Sequence, residues 1–287
     1  MIFAIGEILA DVVMDGDGNM NAYLGGAPFN AAVAAGRAGA DVSFLGRVGD
    51  DPLGKFLEKE AKKYPVKSLL QVDPVRPTTI AFVSVDDKGE RDFKFLRHDA
   101  ADAFIEYSER FFPKNPSFLH LGSLFLSEKH GKELAVFAQK YCKETGAKLS
   151  FDVNFRSDIF PDVEEAKEAY LPLVYAADVV KFSEEETEIL FDKPYERALR
   201  EDVKNPLAVV TLGKKGCAVK YGKDIFLVPT LPVVPVDTTG AGDAFYGTLL
   251  AGIDRVGYDK LTRESLKKIV NEANEAGSQA TQRKGAL

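Results

Sequence analysis

The chain has 287 residues, 45% of them hydrophobic and 28% charged, with a formal net charge of −7. This is a globular composition with ample material for a core, at a length that suits one large α/β domain or two small ones. The acidic balance argues against nucleic acid or anionic membrane as the main partner, and two distant cysteines, Cys142 and Cys217, form no metal or redox spacing and fit a reduced, cytoplasmic compartment.

The opening "MIFAIGEILADVV" has no basic leader, and Glu7 and Asp11 interrupt its apolar run, so neither a signal peptide nor a membrane span is expected. Residues 2–5 read instead as a buried strand ending in a polar edge. Two segments, 11–24 and 79–96, read as hairpins turning at Asp15-Gly16-Asp17-Gly18 and at Asp87-Lys88-Gly89. Neither has a crossover helix, so together they predict a small antiparallel lid, formed by about 11–24 and 78–99. "DGDGNM" (15–20) starts like a calcium loop, but Met20 replaces the required glycine and Gly26 the final glutamate, which leaves a turn. "GDDPLGKF" (49–56) nearly spells a phosphate loop. Phe56 replaces its hydroxyl and two acids fill its turn, so a turn into a helix is expected.

Apolar runs at 41–46, 116–122, 147–154, 177–183 and 207–213 alternate with amphipathic stretches such as 127–144 and 162–176. That alternation predicts an α/β fold, a mostly parallel sheet covered on both faces, as a single domain over 1–287 plus the lid. Ligands in such folds lie beyond the carboxyl ends of the strands. Small and polar residues gather there: Gly122-Ser123, Asp152-Val153-Asn154, Lys181-Phe182-Ser183 and Thr211-Leu212-Gly213. His98, His120 and His130 have no metal spacing and are expected on the surface or satisfied in the core.

Near the end, "VDTTGAGDAF" (236–245) places Gly240, Ala241 and Gly242 before an apolar helix opening at about Ala244. A glycine-rich turn at a helix start is an anion cradle, yet Asp243 sits in it, and like charges ~4 Å apart repel by about 4 kcal/mol near a surface. An acid there makes sense if a phosphoryl group is transferred: the carboxylate takes the proton of an attacking hydroxyl while backbone amides of 240–242 hold the transferring oxygens. Alternatively Asp243 is an ordinary first-turn acid that favours the helix dipole. "GAGDAFYG" is no dinucleotide fingerprint, since Phe245 holds the place of its third glycine.

Here the sequence resembles the ribokinase-like (PfkB-type) carbohydrate kinases, and most closely the fructokinases among them. "GGAPFNAA" (25–32) with "GRVGDDPLG" (46–54) is similar to the N-terminal signature of that family, and "VDTTGAGDAF" to its C-terminal one. "PTTIAFV" (77–83), "GERDFKFLRHDAAD" (89–102), "SFDVNFR" (150–156), "KFSEEE" (181–186), "VVTLGKKG" (209–216) and "ANEAGSQATQRKGA" (273–286) fill the intervals in order. The resemblance implies a ribokinase-like three-layer fold and transfer of the ATP γ-phosphate to the primary hydroxyl of a sugar, with Asp243 as base and Gly240, Ala241 and Gly242 as anion hole. D-fructose is the implied acceptor; ribose, a ketodeoxy sugar acid or a nucleoside are the rivals within the class. A non-catalytic sugar-binding regulator is the rival outside it, and an intact base speaks against that.

Physical sense bears on the individual positions. Gly25 and Gly26 let backbone approach a sugar; Asn30 offers both donor and acceptor to vicinal hydroxyls, or caps locally. Asp11 accepts from sugar hydroxyls, or is a solvated turn acid. Arg97 is by resemblance a sugar contact, and otherwise a salt-bridged edge residue worth ~0–1 kcal/mol. Asp152, Asn154 and Arg156 are implied near acceptor and phosphates, with Arg156 supplying a phosphate fork. On the nucleotide side the resemblance implies Lys181 and Ser183, the latter in the place of the family's usual Asn, and Glu186 reaching Mg²⁺ through water. It further implies Thr211, Gly213 and Gly216 facing ATP, Asn274 of a helix over 262–284 beside adenine, and Asp237 and Thr239, with carbonyls near Gly285, at a monovalent-cation (K⁺) site. The sequence ends at Leu287, short of the tail expected in relatives, so an altered far wall of the nucleotide or cation site is expected. The protein is expected to be a monomer or a lid-mediated homodimer.

Overall fold

The tetrapeptide IFAI at residues 2–5 is apolar throughout because both of its faces are covered. Ile2 and Ala4 join one apolar cluster, Phe3 and Ile5 the other. The computed structural model describes residues 1–14, 18–85, 91–283 and 285–287. In chain order, the first part holds β1 (Ile2–Ile5), β2 (Leu9–Met14), β3 (Met20–Gly25), α1 (Ala27–Arg37), β4 (Val42–Gly49), α2 (Pro52–Ala61) and β5 (Lys67–Asp73). Then come β6 (Ile80–Val85), β7 (Arg91–Leu96), β8 (Phe118–Leu121), α3 (Lys129–Thr145), β9 (Lys148–Asp152), α4 (Val163–Ala176), β10 (Val179–Ser183) and α5 (Glu184–Phe191). The rest comprises α6 (Tyr195–Glu201), β11 (Leu207–Thr211), β12 (Cys217–Tyr221), β13 (Asp224–Val228), α7 (Ala241–Val256) and α8 (Arg263–Ala280).

The large sheet runs β13-β12-β11-β10-β9-β8-β1-β4-β5 and is parallel except at the β12–β13 edge. One face is covered by α1, α2, α7 and α8 through Phe29, Leu57, Leu249 and Val270. The other is covered by α3, α4, α5 and α6 through Leu134, Tyr170, Leu190 and Leu199. The result is the expected three-layer α/β/α arrangement. Strand order reverses between β1 and β8, so the crevice for a ligand opens at their carboxyl ends.

The second sheet runs β3-β2-β6-β7 and packs through Leu9, Ala81 and Leu124. Its two hairpins are antiparallel, as expected, but β2 and β6 pair in parallel. Both of those strands follow a strand of the large parallel sheet, β1 and β5, and so they leave its carboxyl edge in the same direction. Of the expected hairpin turns, Asp15, Gly16, Asp17, Asp87, Lys88 and Gly89 lie outside the described residues.

Other boundaries differ for identifiable reasons. The helix expected from Ala244 begins at Ala241, because Gly240 adopts a left-handed conformation (φ 75°) and turns the chain directly into it. The helix expected over 262–284 is capped by Thr262 and ends at Ala280; the next carbonyl, of Thr281, accepts N–H bonds from Val236 and Asp237. "GDDPLGKF" is a turn into α2: Asp51 accepts from the Gly54 amide (2.7 Å), and Lys55 pairs with Asp50 (3.0 Å). Among the described residues no helix is long and apolar enough to cross a membrane.

Candidate active site

Helix α7 starts at the carboxyl side of the sheet, and its first turn is the centre of the site. A side chain at Gly240 would lie 2.7 Å from Ala286, so the left-handed cap there admits only glycine. The first intrahelical bond is donated by Ala244 to Gly240 (2.8 Å), which leaves the amides of Ala241, Gly242 and Asp243 as helix-start orphans. Ala241 donates to the Thr238 carbonyl at 3.3 Å. The amides of Gly242 and Asp243 have no acceptor among the described residues. Of the expected 240–242 amides, only that of Ala241 has an acceptor among the described residues, and Asp243 adds a further free donor.

Asp243 is half-buried and joined to α1: Asn30 Nδ2 donates to its Oδ2 at 2.8 Å. Asn30 is itself buried, and its Oδ1 has no partner among the described residues. On the opposite side, neighbouring strands β9 and β10 place Asp152 beside Lys181, with Nζ 2.7 Å from Oδ1 and both side chains buried. Lys181 also underlies the helix start, since a Cβ at Gly242 would stand 3.3 Å from its Nζ. Burial raises the Asp243 carboxyl to about 6, and the Asp152 charge adds to this; the Asn30 bond, Lys181 and Arg156 oppose it. Burial works against the Lys181 ammonium, but Asp152, Glu186 and Asp243 hold it above its usual range. The arrangement is a carboxyl poised near neutrality beside free amides and a held cation. It can accept a proton from a hydroxyl and stabilise an anion next to it.

The residues expected on the sugar side stand around the small sheet. Asp11 is on β2, against Gly25, whose substitution would bring a Cβ within 2.3 Å of the carboxylate. Gly26 (φ 114°) is held to glycine by the fold itself, because a Cβ would lie 2.4 Å from the Glu7 carbonyl. Arg97 is not an edge residue. It is buried, its Nε donates to Asp102 at 2.9 Å and its Nη1 to Ser127 Oγ at 2.7 Å, while Nη2 has no partner among the described residues. Asn154 has φ 37°, an unusual left-handed turn for a non-glycine, and its carbonyl accepts from Ser123. Arg156 Nη1 donates to the Phe155 carbonyl (3.0 Å), and its charge acts on Asp243.

On the nucleotide side several expected residues also have structural work. Ser183 and Glu186 form a reciprocal cap of α5: Ser183 Oγ accepts from the Glu186 amide (3.1 Å) and Glu186 Oε2 from the Ser183 amide (2.6 Å). Glu186 Oε1 accepts from the Phe155 amide (2.8 Å), which ties α5 to the loop carrying Asn154 and Arg156. Thr211 Oγ1 donates to the Phe182 carbonyl (3.3 Å), and Gly213 and Gly216 form the turn between β11 and β12. Asn274 Nδ2 donates to the Val228 and Pro229 carbonyls (3.2 Å each), fixing α8 to the end of β13. At Asp237 the carboxylate accepts from the amides of Thr239 (3.0 Å) and Gly285 (2.7 Å). The Gly285 bond brings the segment after α8, which folds back across Gly240, beside Asp237.

Two features escaped the sequence reading. Glu7, just past β1, is buried with no partner on any other described residue; the only signal was a charge inside an apolar run. Tyr246 is the other. Its hydroxyl lies within 2.8–3.2 Å of Ser150 Oγ, the Phe151 carbonyl and the Val179 carbonyl, anchoring α7 to β9 and β10. His120 packs edge-on against Tyr246, and burial lowers it to about 4, so it is neutral. It is in the core, with Nδ1 3.2 Å from Ser150 Oγ, but not satisfied as expected, since Nε2 has no partner among the described residues. His130 bonds the Ile105 carbonyl and His98 is exposed.

Comparisons with known proteins point to one family. The model of the pfkB family carbohydrate kinases matches residues 1–287. The chain is 34% identical to the fructokinase of Vibrio alginolyticus over 290 residues, covering 100% of this chain and 94% of that protein. Crystal structures of the fructokinase of Vibrio cholerae O395 superpose with a TM-score of 0.90 at 36% identity, over 99% of this chain and 93% or 94% of theirs. One holds fructose, ADP and potassium ion in a double mutant, the other fructose, ADP and calcium ion. Aminoimidazole riboside kinase of Salmonella enterica, with aminoimidazole riboside and an ATP analogue, superposes at 0.87 with 26% identity, over 99% of this chain and 94% of that one.

Proposed function

This chain belongs to the pfkB family of carbohydrate kinases, and on that premise we propose that it is an ATP-dependent fructokinase making fructose 6-phosphate. The observation that carries the mechanism is the first turn of α7: a carboxyl raised to about 6, held by Asn30 at 2.8 Å, beside the free amides of Gly242 and Asp243. Fructose enters between Asp11, Gly25, Gly26, Asn30, Arg97 and Asn154. Asp243 accepts the proton of its primary hydroxyl as the oxygen attacks the γ-phosphorus and the bond to ADP breaks. The amides and Arg156 take the charge that develops on the equatorial oxygens. Lys181 holds the phosphates from below, and the segments carrying Ser183, Thr211, Gly213, Gly216 and Asn274 form the nucleotide side. The small sheet acts as a lid that excludes water.

Mg²⁺ on the nucleotide would neutralise phosphate charge. Glu186 fits a role through water, because each of its oxygens keeps a lone pair beyond its amide bond. A monovalent cation would sit at the Asp237–Thr239 turn. A cytoplasmic enzyme, one domain with a lid, and a monomer or lid-paired dimer complete the proposal; Met14, Met20 and Leu96 are exposed on the small sheet.

The test is a coupled ADP-release assay over fructose, ribose, a ketodeoxy sugar acid and adenosine. ADP release with fructose and not with the others is expected. Release only with a riboside would reassign the acceptor, a reading that the aminoimidazole riboside kinase likeness keeps in view. No release with any acceptor would point to a binding protein.

A further inference from the structure

Glu7 lies in the connection from β1 to β2, where the large sheet passes into the small one. It is 1% exposed, and neither Oε1 nor Oε2 has a hydrogen-bond partner on another described residue. The fold makes a slot for it: a Cβ at Gly122 would lie 2.6 Å from Oε2, and one at Gly26 would lie 2.4 Å from the Glu7 carbonyl. A buried unpaired carboxyl is costly, and such groups concentrate at working sites.

The groups that act on Glu7 come from four places: Asp102 in the turn at 101–104, Arg97 just after β7, Asp243 in α7 and Tyr170 in α4. Arg97 leads from the small sheet back to the core, and its Nη2 is also buried and unpaired. Two complementary groups without partners thus stand at two joints of the same sheet. Burial raises the Glu7 carboxyl to about 7, with Asp102 and Asp243 adding repulsion against the pull of its own amide and of Arg97.

We propose that Glu7 is a positioning residue for the sugar, acting through Arg97: it keeps its proton in the free protein and releases it on sugar binding, leaving a carboxylate that pairs with Arg97 Nη2. The carboxyl O–H bond breaks and the proton passes to solvent. Binding favours this because a sugar hydroxyl on Asp243 masks one repelling charge, and exclusion of water strengthens the Glu7–Arg97 attraction. The inference rests on the sugar-side placement of Arg97 in the proposed function. Because the folded-state value falls on binding, sugar affinity should strengthen as pH rises toward 7 and level off above it.

Isothermal titration of D-fructose at pH 7, in phosphate and in Tris, reads the proton directly. The full chain carrying Asp243→Asn is used beside the unaltered protein, so that the base does not contribute. Release of about half a proton per sugar is expected in the unaltered protein, with affinity weakening severalfold from pH 7.5 to 6, and a smaller release in Asp243→Asn, where the charge that the sugar hydroxyl would mask is already gone. Adding Glu7→Gln, which preserves shape, should abolish the release and flatten the pH dependence without changing the melting temperature in step. Fructose binding without proton release, in the unaltered protein and in Asp243→Asn alike, overturns the role of Glu7 while leaving the substrate assignment intact. The same release persisting in Glu7→Gln overturns it too. Absence of fructose binding refutes the substrate assignment and this role together.

Discussion

Replacing Asp243 by Asn tests the centre of the site. The substitution keeps the size of the side chain and the Asn30 contact, now 2.8 Å from an amide group, but removes the proton acceptor. With a carboxyl near 6, roughly nine-tenths of the wild-type protein carries the active base at pH 7, so almost the whole catalytic contribution is at stake. Loss of a positioned acid–base group lowers turnover by about 10²- to 10⁴-fold, or ~3–5 kcal/mol of transition-state stabilisation. Nucleotide affinity should hold or improve, because a negative charge beside the phosphates is gone. The measurements are kcat and KM by coupled ADP release with fructose, and fructose and ATP affinities by calorimetry. A kcat within threefold of wild type would remove Asp243 from proton transfer. A raised KM at unchanged kcat would make it a binding group only.

Further outcomes follow from the same geometry. The base must be ionised to act, so kcat at saturating fructose should be flat above about pH 6 and fall tenfold per unit below it; Lys181→Met, which removes a cation that lowers Asp243, should move that limb toward alkaline pH. An acid limb in the same place in both proteins would refute the coupling. Gly26→Ala forces a Cβ to within 2.4 Å of the Glu7 carbonyl at φ 114°, and should cost at least ~1–3 kcal/mol in urea unfolding. Arg97→Met leaves the Asp102 carboxylate buried and without its cation, and about 3–5 kcal/mol of destabilisation is expected in the same assay. A loss below 1 kcal/mol would return Arg97 to the status of a surface pair.

Much of the fold is written locally. The runs at 2–5, 147–154, 177–183 and 207–213 are strands because uninterrupted apolar residues suit strands covered on both faces, and the glycine turn before α7 is a helix start in any context. Strand β5 and the β12–β13 hairpin were not singled out. Burial along β5 and β13 is mixed, so neither reads as a fully covered strand. The parallel seam of the small sheet was also not legible, because strand direction is set by which core strands precede β2 and β6.

The sequence by itself determined where polar and small residues cluster at strand ends, and which stretch would present backbone amides to an anion. Those are patterns within ten residues, where chain connectivity dictates geometry. Tertiary structure alone decided that Asn30 meets Asp243 across 213 residues, that Glu186 Oε1 takes the Phe155 amide, and that Glu7 has no partner on another described residue. The physical reason is that a carboxyl's proton affinity depends on how much water is excluded around it and on which charges stand within a few ångströms. Neither quantity exists until distant segments have packed together.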